Sequence, residues 1–224
     1  MLKPRKRLTK KQIKEDKLLT TISKVNDYLE NEWKKLVFIA ASALFIILIS
    51  YFFVQRSQDA ENEASSRLYA VEFQFIERQL FNDQTAIELE RIVNEFSNTK
   101  AGGNAAYYLG VTYYNLGNYT LAEQWFNRYL DDYAEDNFLH STALSGLAAT
   151  FEQKQMYKEA LEYYLKAAKD FPKEYSVAES LLGAARNYAL LDQKDNAIRQ
   201  CEEIIEKFPN TRQSLEAQKL LASF

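Results

Sequence analysis

The residues best suited to catalysis or metal binding are sparse in this 224-residue chain. It contains one histidine, His140, and one cysteine, Cys201, so neither a multi-cysteine metal site nor an internal disulfide can form. We interpret His140 as a surface or loop residue and Cys201 as a small buried apolar residue. Adjacent carboxylates such as Asp131 and Asp132 point apart on a helix, and no Gly-rich phosphate loop or Ser–His–Asp set is recognisable. The sequence therefore predicts a protein that is not an enzyme and has no cofactor, no metal and no small-molecule substrate.

The elements that position any binding residues are predicted to be helices. Neither glycine nor proline occurs between Pro4 and Gly102, which favours helix over turns. Charge is distributed unevenly: residues 1–35 carry a net charge of +6, residues 36–54 carry none, and residues 55–224 carry a net charge of −9. An acidic body lacks the basic face that phosphate binding requires, so nucleic acid is not a predicted partner.

The stretch from Leu36 to Val54 contains nineteen residues without a charge. At about 1.5 Å per residue, such a helix covers the roughly 30 Å hydrocarbon layer of a bilayer. A cleavable signal peptide is the alternative, but its apolar core is only about 7–15 residues long. Eleven Lys and Arg residues precede the span, which predicts a cytoplasmic N-terminus. We therefore expect a single-pass protein of the bacterial inner (cytoplasmic) membrane with its remaining residues in the periplasm.

The basic tail, residues 1–35, is predicted to contain a helix that starts at the capping-box pair Thr9 and Gln12. Apolar residues then recur every three or four positions on one face: Leu18, Ile22, Val25 and Leu29. Two interpretations stay open, a helix lying on the anionic inner leaflet and a docking helix for a cytoplasmic or membrane partner. This face and the Ala/Ser face of the span are also candidate surfaces for self-association.

A repeat of 37 or 38 residues runs through the C-terminal half of the chain. It aligns on three alanines: Ala122, Ala160 and Ala197. Four residues after each alanine comes a larger core candidate: Phe126, Tyr164 or Cys201. Twelve residues after the second and third alanines come Pro172 and Pro209, each within a Phe-Pro pair. Three units in one register indicate a repeat architecture.

These units resemble the tetratricopeptide repeat, a helix–turn–helix unit of about 34 residues. In the first unit, Leu109-Gly110, Tyr113, Gly117 and Ala122 fall on motif positions seven, eight, eleven, fifteen and twenty. The resemblance implies that helices A and B cross closely at small residues: Gly110, Ala122, Ala148, Ala160, Ala185 and Ala197. It also implies that proline ends helix B, because proline cannot continue the hydrogen-bond ladder.

The repeat is predicted to extend in both directions. Residues 60–80 and 85–96 form a degenerate first unit, and residues 214–224 form one closing helix. The predicted fold is therefore all-α, with a transmembrane helix followed by a tetratricopeptide-repeat α-solenoid of about four helix pairs plus a C-terminal capping helix. The predicted domains are the basic tail (1–35), the span (36–54), a linker with the degenerate repeat (55–101), and three repeats with the cap (102–224).

The resemblance implies that helix A lines a concave groove and contacts ligands through motif positions two, five, nine, twelve and thirteen. In the first unit these positions are Asn104, Tyr107, Val111, Tyr114 and Asn115. In the second they are Thr142, Ser145, Ala149, Glu152 and Gln153, and in the third Glu179, Leu182, Arg186, Ala189 and Leu190. Tyr113, Tyr119 and Phe126 are then predicted to pack, whereas Tyr107 and Tyr114 face the groove.

The composition of this groove narrows its predicted ligand. Cytosolic chaperone-binding members of the family clamp an acidic peptide tail with Lys and Asn at positions five and nine. Here Tyr107, Val111, Ser145 and Ala149 occupy those positions in the first two units, so that clamp is absent. A mixed aromatic and polar groove suits an extended or helical protein segment. The alternative is a groove that is unused or filled by the protein's own chain.

The layout of basic tail, uncleaved span and outer repeat domain resembles the YfgM-like ancillary subunits of the SecYEG translocon. That resemblance implies a periplasmic interaction scaffold that docks near the translocon and passes emerging proteins to periplasmic chaperones. The long helical tail departs from that layout. Two other classes stay open: an envelope-assembly or cell-division coordinator, and a regulatory subunit of a separate enzyme. Lipid attachment after the apolar run is excluded, because no cysteine follows it there.

Overall fold

The computed structural model describes residues 10–78, 81–134 and 136–224, without the side chains of residues 10–18 and 74–78. Over these residues it is all-α, with nine helices and no strand. The helices are α1 (Lys10–Arg78), α2 (Asp83–Glu95), α3 (Lys100–Asn115), α4 (Tyr119–Asp132), α5 (Asn137–Gln153), α6 (Tyr157–Asp170), α7 (Val177–Leu190), α8 (Lys194–Lys207) and α9 (Arg212–Leu221). The chain divides into two compact units, Met1–Arg56 and Ser57–Phe224.

The first unit is formed by the N-terminal part of α1, a helix of 69 residues. The lack of glycine and proline between Pro4 and Gly102 accords with its length, since those residues most often end a helix. The predicted N-cap, Thr9, lies outside the described residues. Residues 55–59, where the sequence predicts a linker, are helical.

Among the described residues, none buries the apolar run of α1. A stretch within Leu19–Phe73 is long and apolar enough to cross a membrane, and none of it is buried. Its large side chains, such as Phe38, Phe45 and Phe53, are exposed. The Ser42 hydroxyl donates to the carbonyl oxygen of Phe38 at 2.8 Å, so its hydrogen bond is made within the helix. Burial in a protein core therefore does not account for this apolar segment.

The second unit is a stack of helix pairs. In the pairs α3–α4, α5–α6 and α7–α8 the first helix is helix A and the second is helix B. Helix A of each pair also packs against helix A of the next, so α3 contacts α5, α5 contacts α7, and α7 contacts α9. At the N-terminal end, Ala64 and Leu68 of α1 share one buried core with Leu89 and Val93 of α2. This arrangement confirms four helix pairs and a closing helix.

Glu61 attaches α1 to the first repeat. Its carboxylate accepts hydrogen bonds from the backbone N–H groups of Lys100 and Ala101, at 2.7 and 3.2 Å. A negative charge at a helix N-terminus is stabilised both by these free donors and by the helix dipole. Within the degenerate repeat, Arg67 of α1 forms ion pairs with Glu63 of the same helix and with Glu95 of α2. The degenerate repeat is therefore connected to α3 by specific polar contacts as well as by its core.

Large rings in helix B fit against glycines in helix A. The ring of Phe126 lies between two of them: an added Cβ would lie 2.8 Å from its Cδ1 at Gly110 and 2.6 Å from its Cζ at Gly146. Tyr164 repeats the arrangement, since a Cβ at Gly183 would lie 2.4 Å from its Cζ. The aligned alanines Ala122, Ala160 and Ala197 are fully buried. Close helix crossing at small residues is thus the packing rule of the stack.

The turns between helices A and B share one backbone conformation. Gly117, Gln155 and Asp192 all have positive φ, at 75°, 60° and 58°. In each turn the next N–H donates to the carbonyl oxygen five residues earlier, as from Asn118 to Tyr113 at 2.9 Å. The turn is therefore a Schellman motif, which suits glycine best at its left-handed position.

Helix B ends before a proline where the sequence predicts it. α6 and α8 have Phe171 and Phe208 as their C-caps, and Pro172 and Pro209 follow directly. The cap phenylalanines are half-buried, whereas both prolines are exposed. The Phe-Pro pairs therefore end the helix and seal the adjacent core.

Candidate functional site: the helix A surface

The helix A surface comprises the fifteen predicted groove positions on α3, α5 and α7. Side-by-side packing of these helices brings together residues that are 34 or 35 positions apart in sequence. Tyr114, Glu152 and Arg186, predicted independently in three units, become neighbours. The surface therefore contains contacts that no single repeat predicts.

A ladder of serines joins α5 to α7 at the N-terminal half of the surface. The Ser141 and Ser176 hydroxyls lie 2.5 Å apart, and those of Ser145 and Ser180 lie 2.7 Å apart. Ser145 also donates to the carbonyl oxygen of Ser141 at 3.0 Å. Ser145 is a predicted ligand contact, but its hydroxyl is already engaged in holding consecutive repeats together.

Glu152 is the centre of a polar network at the C-terminal half. Its carboxylate accepts from the Tyr164 hydroxyl at 3.0 Å, from Asn187 Nδ2 at 3.1 Å and from Arg186 Nε at 3.3 Å. Arg186 also approaches Glu179, with 4.0 Å between Nη1 and Oε1. These contacts link α5, α6 and α7. The network fixes the register of the second and third repeats, because each partner compensates the burial of the others.

Electrostatics within the network follow from this burial. Burial, together with the charge of Glu152, raises the pKa of Tyr164. Burial acts to lower the pKa of Arg186, but the charge of Glu152 and its hydrogen bonds outweigh that effect and raise it. Arg186 is thus a permanent cation balanced by Glu152 and Glu179, and it offers no unpaired charge to an acidic ligand.

Tyr107 and Tyr114 differ in their surroundings, although both were predicted to face the groove. Tyr107 packs against the rings of Phe126 and Tyr129, with centroids 6.1 and 5.8 Å away, and burial raises its pKa. Tyr114 is half-buried and pairs with Tyr119 at 5.7 Å. Both side chains are half-buried and pack against the same core, so each presents only part of its ring to the helix A surface.

Tyr119 also lies at this surface. It was predicted to pack, but it is half-buried, and its hydroxyl donates to Gln153 Oε1 over a long 3.4 Å. Tyr113, by contrast, packs against the core as predicted. Leu182 is the clear error among the groove positions, because only 2% of its surface is exposed. Its side chain fills the core beside α8 and α9 instead of facing a ligand.

The last residue of each helix A remains accessible. Asn115, Gln153 and Leu190 end α3, α5 and α7, and all three are exposed. Asn104, Val111, Thr142, Ala149 and Ala189 are half-buried. The accessible part of the surface is therefore polar and aromatic at its C-terminal edge, with Leu190 as an exposed apolar group.

A cleft of about 1040 Å³ adjoins the N-terminal end of this surface. Its walls come from α1, the segment before α3, the end of α4 and the start of α5. Asn104, the first predicted groove residue, lines it together with Gln58, Asn98 and Tyr133. Amide and hydroxyl groups of this kind can hydrogen-bond a peptide backbone in either direction. The helix A surface is thus continued by a polar cleft that the sequence did not indicate.

Three structural residues escaped prediction. Gly146 and Gly183 accommodate the rings of Phe126 and Tyr164, and they occupy equivalent places in consecutive units, 37 residues apart. That recurrence is the signal by which they could have been found. Asn187 is fully buried and donates both to Glu152 and to the carbonyl oxygen of Gly183, at 3.1 and 2.8 Å. Nothing in its sequence context separates it from an ordinary surface asparagine.

The residues with reactive side chains lie apart from this surface. His140 belongs to α5 rather than a loop, is half-buried, and packs on Phe171 at 4.7 Å between ring centroids. Cys201 is buried, as predicted, and burial raises the pKa of its thiol to about 11. Among the described residues, no group of three His, Cys, Asp or Glu is placed to hold a metal ion.

Comparisons with known proteins agree with this architecture. Family models described as tetratricopeptide repeat match residues 103–173 and 179–211. The chain therefore contains tetratricopeptide repeats. No curated protein sequence matches the chain.

Two solved structures illustrate the shared fold. One contains nearly identical TPR-like repeats of kinesin-light-chain type from Podospora anserina, with 16% identity and a TM-score of 0.60 over 73% of this chain and 85% of that one. The other is YrrB, described as a TPR protein with an unusual peptide-binding site, with 19% identity and a TM-score of 0.51 over 70% of this chain and 74% of that one. At these identities the likeness shows the fold alone.

Proposed function

We propose that the chain is a membrane-anchored scaffold for protein–protein interaction. Its span is Leu36 to Val54, its N-terminus is cytoplasmic, and its repeat domain lies in the periplasm. The repeats support the protein-interaction class, and the length, apolar composition and exposure of the run in α1 support the anchor. The concentration of Lys and Arg before the run supports the orientation.

The helix A surface and the adjoining cleft are the proposed docking site for a protein segment. One observation carries this proposal: the last residue of each helix A is exposed, which places one accessible residue per repeat along the same edge. These residues are Asn115, Gln153 and Leu190. Glu152 and Arg186 sit beside it as a neutralised pair. A segment with hydrogen-bonding side chains and an apolar or aromatic contact for Leu190 and Tyr114 fits this edge better than a highly charged tail.

The finer proposal concerns the partners. We propose that the scaffold stands near the protein translocon of the inner membrane and passes emerging chains to periplasmic chaperones. A tethered domain that binds unfolded segments would act on them at high local concentration, since anchoring restricts both to the membrane surface. This partner assignment is supported by the layout of the chain rather than by any particular residue.

Position-specific photo-cross-linking tests the docking site. A photoreactive phenylalanine analogue replaces Asn115, Gln153 or Leu190 in the full chain in membranes. Matched controls carry the analogue at three exposed helix B positions that are also one per repeat: Gln124, Glu162 and Arg199. We expect adducts from the helix A set and few from the helix B set. Equal labelling of both sets, or labelling of helix B alone, contradicts the proposed site.

Mass spectrometry of the adducts tests the partner assignment. Translocon subunits and periplasmic chaperones are the expected proteins, whereas adducts only with cell-division or outer-membrane-assembly proteins would overturn this part. Protease added to spheroplasts tests orientation separately. It should remove residues beyond about Arg56 and spare the N-terminal tail, and the opposite pattern would reverse the compartment assignment.

A further inference from the structure

The cytoplasmic end of α1 presents an apolar face with no partner in the described structure. Ile22, Val25 and Leu29 are 63%, 54% and 47% exposed. Their spacing of three and four residues extends backwards to Leu18 in the sequence, and Leu36 lies one heptad, seven residues, after Leu29. This is the alternation of a and d positions in a coiled coil, with Ile22, Leu29 and Leu36 at a.

The residues around this face fit a seam between two helices. Off the seam lie polar residues, including Ser23, Lys24, Asp27 and Asn31. The flanking g and e positions carry Tyr28 and Trp33, which are also exposed. In a parallel pair a g residue lies next to the e residue of the following heptad in the other helix, so these two rings would meet across the seam. Glu32 is the charged residue at a d position, and its carboxylate is paired with Lys35 at 2.9 Å.

The backbone argues against the bilayer surface as the cover for this face. α1 is helical without interruption through the tail and the apolar run. A helix that lies flat on the membrane must bend sharply before it can cross, and sharp bends need a proline, a glycine or a local break. The segment from residue 19 to residue 54 contains no proline and no glycine. The apolar face therefore projects from the membrane along the same axis as the span.

We propose that this face, residues 18–36, pairs with the same face of a second copy to form a parallel homodimer. The inference rests on the proposed membrane anchor, because the span sets both copies to the same direction and depth and so fixes the register. About five aliphatic side chains per copy bury much less than the roughly 800 Å² per partner typical of stable soluble interfaces. Confinement to one membrane compensates for this small area by raising the effective concentration.

Cysteine scanning in isolated membranes tests the pairing. Single cysteines replace each residue from Thr20 to Asn31 in the full chain, and an oxidant then forms disulfides between copies. The native Cys201 is fully buried, so the unsubstituted chain serves as the blank. Ile22→Cys, Val25→Cys and Leu29→Cys should cross-link strongly, whereas Lys24→Cys and Asp27→Cys should not. A flat profile across the scan overturns the dimer.

A second pair of variants checks that the seam drives association. Ile22→Glu with Leu29→Glu should reduce cross-linking at Val25→Cys by about tenfold or more, because charges are costly to bury at a seam. Ser23→Glu with Asn31→Glu adds the same charge off the seam and should leave cross-linking unchanged. Equal effects of the two double variants contradict the proposal.

Two measurements separate failure of the dimer from failure of the anchor. Retention of the chain in membranes after alkaline carbonate extraction supports the anchor, and its release contradicts the anchor whatever the cross-linking shows. If the chain is retained but seam cysteines neither cross-link nor react with a water-soluble thiol reagent, the face lies on the bilayer. That result overturns the dimer and leaves the anchor standing.

Discussion

Large apolar residues occur both in the apolar run of α1 and in the helix pair α3–α4, but those of the run are exposed, whereas the pair buries several of them. Phe45 in the run is 64% exposed, whereas Phe126 in α4 is 1% exposed. The difference arises from neighbours: glycines on two helices make room for the ring of Phe126, whereas no described residue buries the ring of Phe45. Apolar content alone therefore does not define a core; the spacing of small residues opposite large ones does.

The largest expected contrast comes from truncating these two phenylalanines. Phe126→Ala should lower the free energy of unfolding of the repeat domain by about 3–5 kcal/mol, because it leaves a cavity between two helix pairs. Phe45→Ala should leave that stability unchanged. Trp125 adjoins Phe126, so its fluorescence during denaturant unfolding of the detergent-solubilised chain, in a Trp33→Phe background, measures the effect. Equal losses in both variants contradict the division between core and uncovered segment.

The next prediction compares two glycines, one with a ring packed against it and one in open space. Gly183→Ala places a Cβ 2.4 Å from Tyr164 Cζ, so the tyrosine ring or one of the two helices must shift. We expect a loss of about 1–3 kcal/mol, the usual range for overpacking a core. Gly117→Ala is the control for the loss of a glycine, since nothing lies within 4 Å of its added Cβ and any cost there comes from its positive φ. Combining Gly183→Ala with Tyr164→Ala should relieve the clash, although it adds a cavity.

The spacing of small and large residues in the sequence predicted most of the fold, because the same regular pairing determines how the helices pack. Ala122, Ala160 and Ala197 recur with large residues four positions later, and that pattern defines helix pairs without any knowledge of tertiary contacts. Proline after Phe171 and Phe208 predicts the helix ends equally well. That α1 stays helical through residues 55–59 was harder to predict, because the composition changes there from apolar to polar.

The candidate site was less predictable because it depends on contacts between repeats. Motif positions identified Tyr114, Glu152 and Arg186 one repeat at a time, but their mutual pairing requires the angle at which α3, α5 and α7 pack. Leu182 shows the limit of such positional transfer: it occupies a ligand position of the motif, and the neighbouring helices bury it. A single repeat does not specify which of its surface positions the next repeat covers.

A smaller effect on stability is expected from the hydroxyl of Tyr164, which connects the core to the helix A surface through Glu152. Tyr164→Phe keeps the ring against Gly183 and removes only the bond to Glu152. We expect a loss of about 1 kcal/mol at neutral pH. Because burial raises the pKa of Tyr164 in the folded state, its contribution is fully present below about pH 10 and is lost as pH rises beyond that value.

The alkaline limb of the stability curve tests this assignment. Unfolding free energy measured from pH 8 upwards should fall less steeply for Tyr164→Phe than for the unsubstituted chain once the pH exceeds about 10. Tyr175→Phe is the matched control, since Tyr175 is 87% exposed and its loss should leave the slope unchanged. Parallel curves for all three proteins would show that the pKa of Tyr164 is not raised in the folded state.

The smallest expected effect has the opposite sign and lies in the turns. Gln155 and Asp192 hold the left-handed conformation that Gly117 adopts freely in the first repeat. That conformation costs a non-glycine residue roughly 1–2 kcal/mol, whereas glycine adds backbone entropy worth roughly 0.5–1 kcal/mol to the unfolded chain. Gln155→Gly should therefore stabilise the repeat domain by about 0.5–1 kcal/mol in denaturant unfolding. Gln153→Gly, two residues earlier at the right-handed end of α5, should destabilise it instead, so a gain in both variants would trace the effect to something other than the turn.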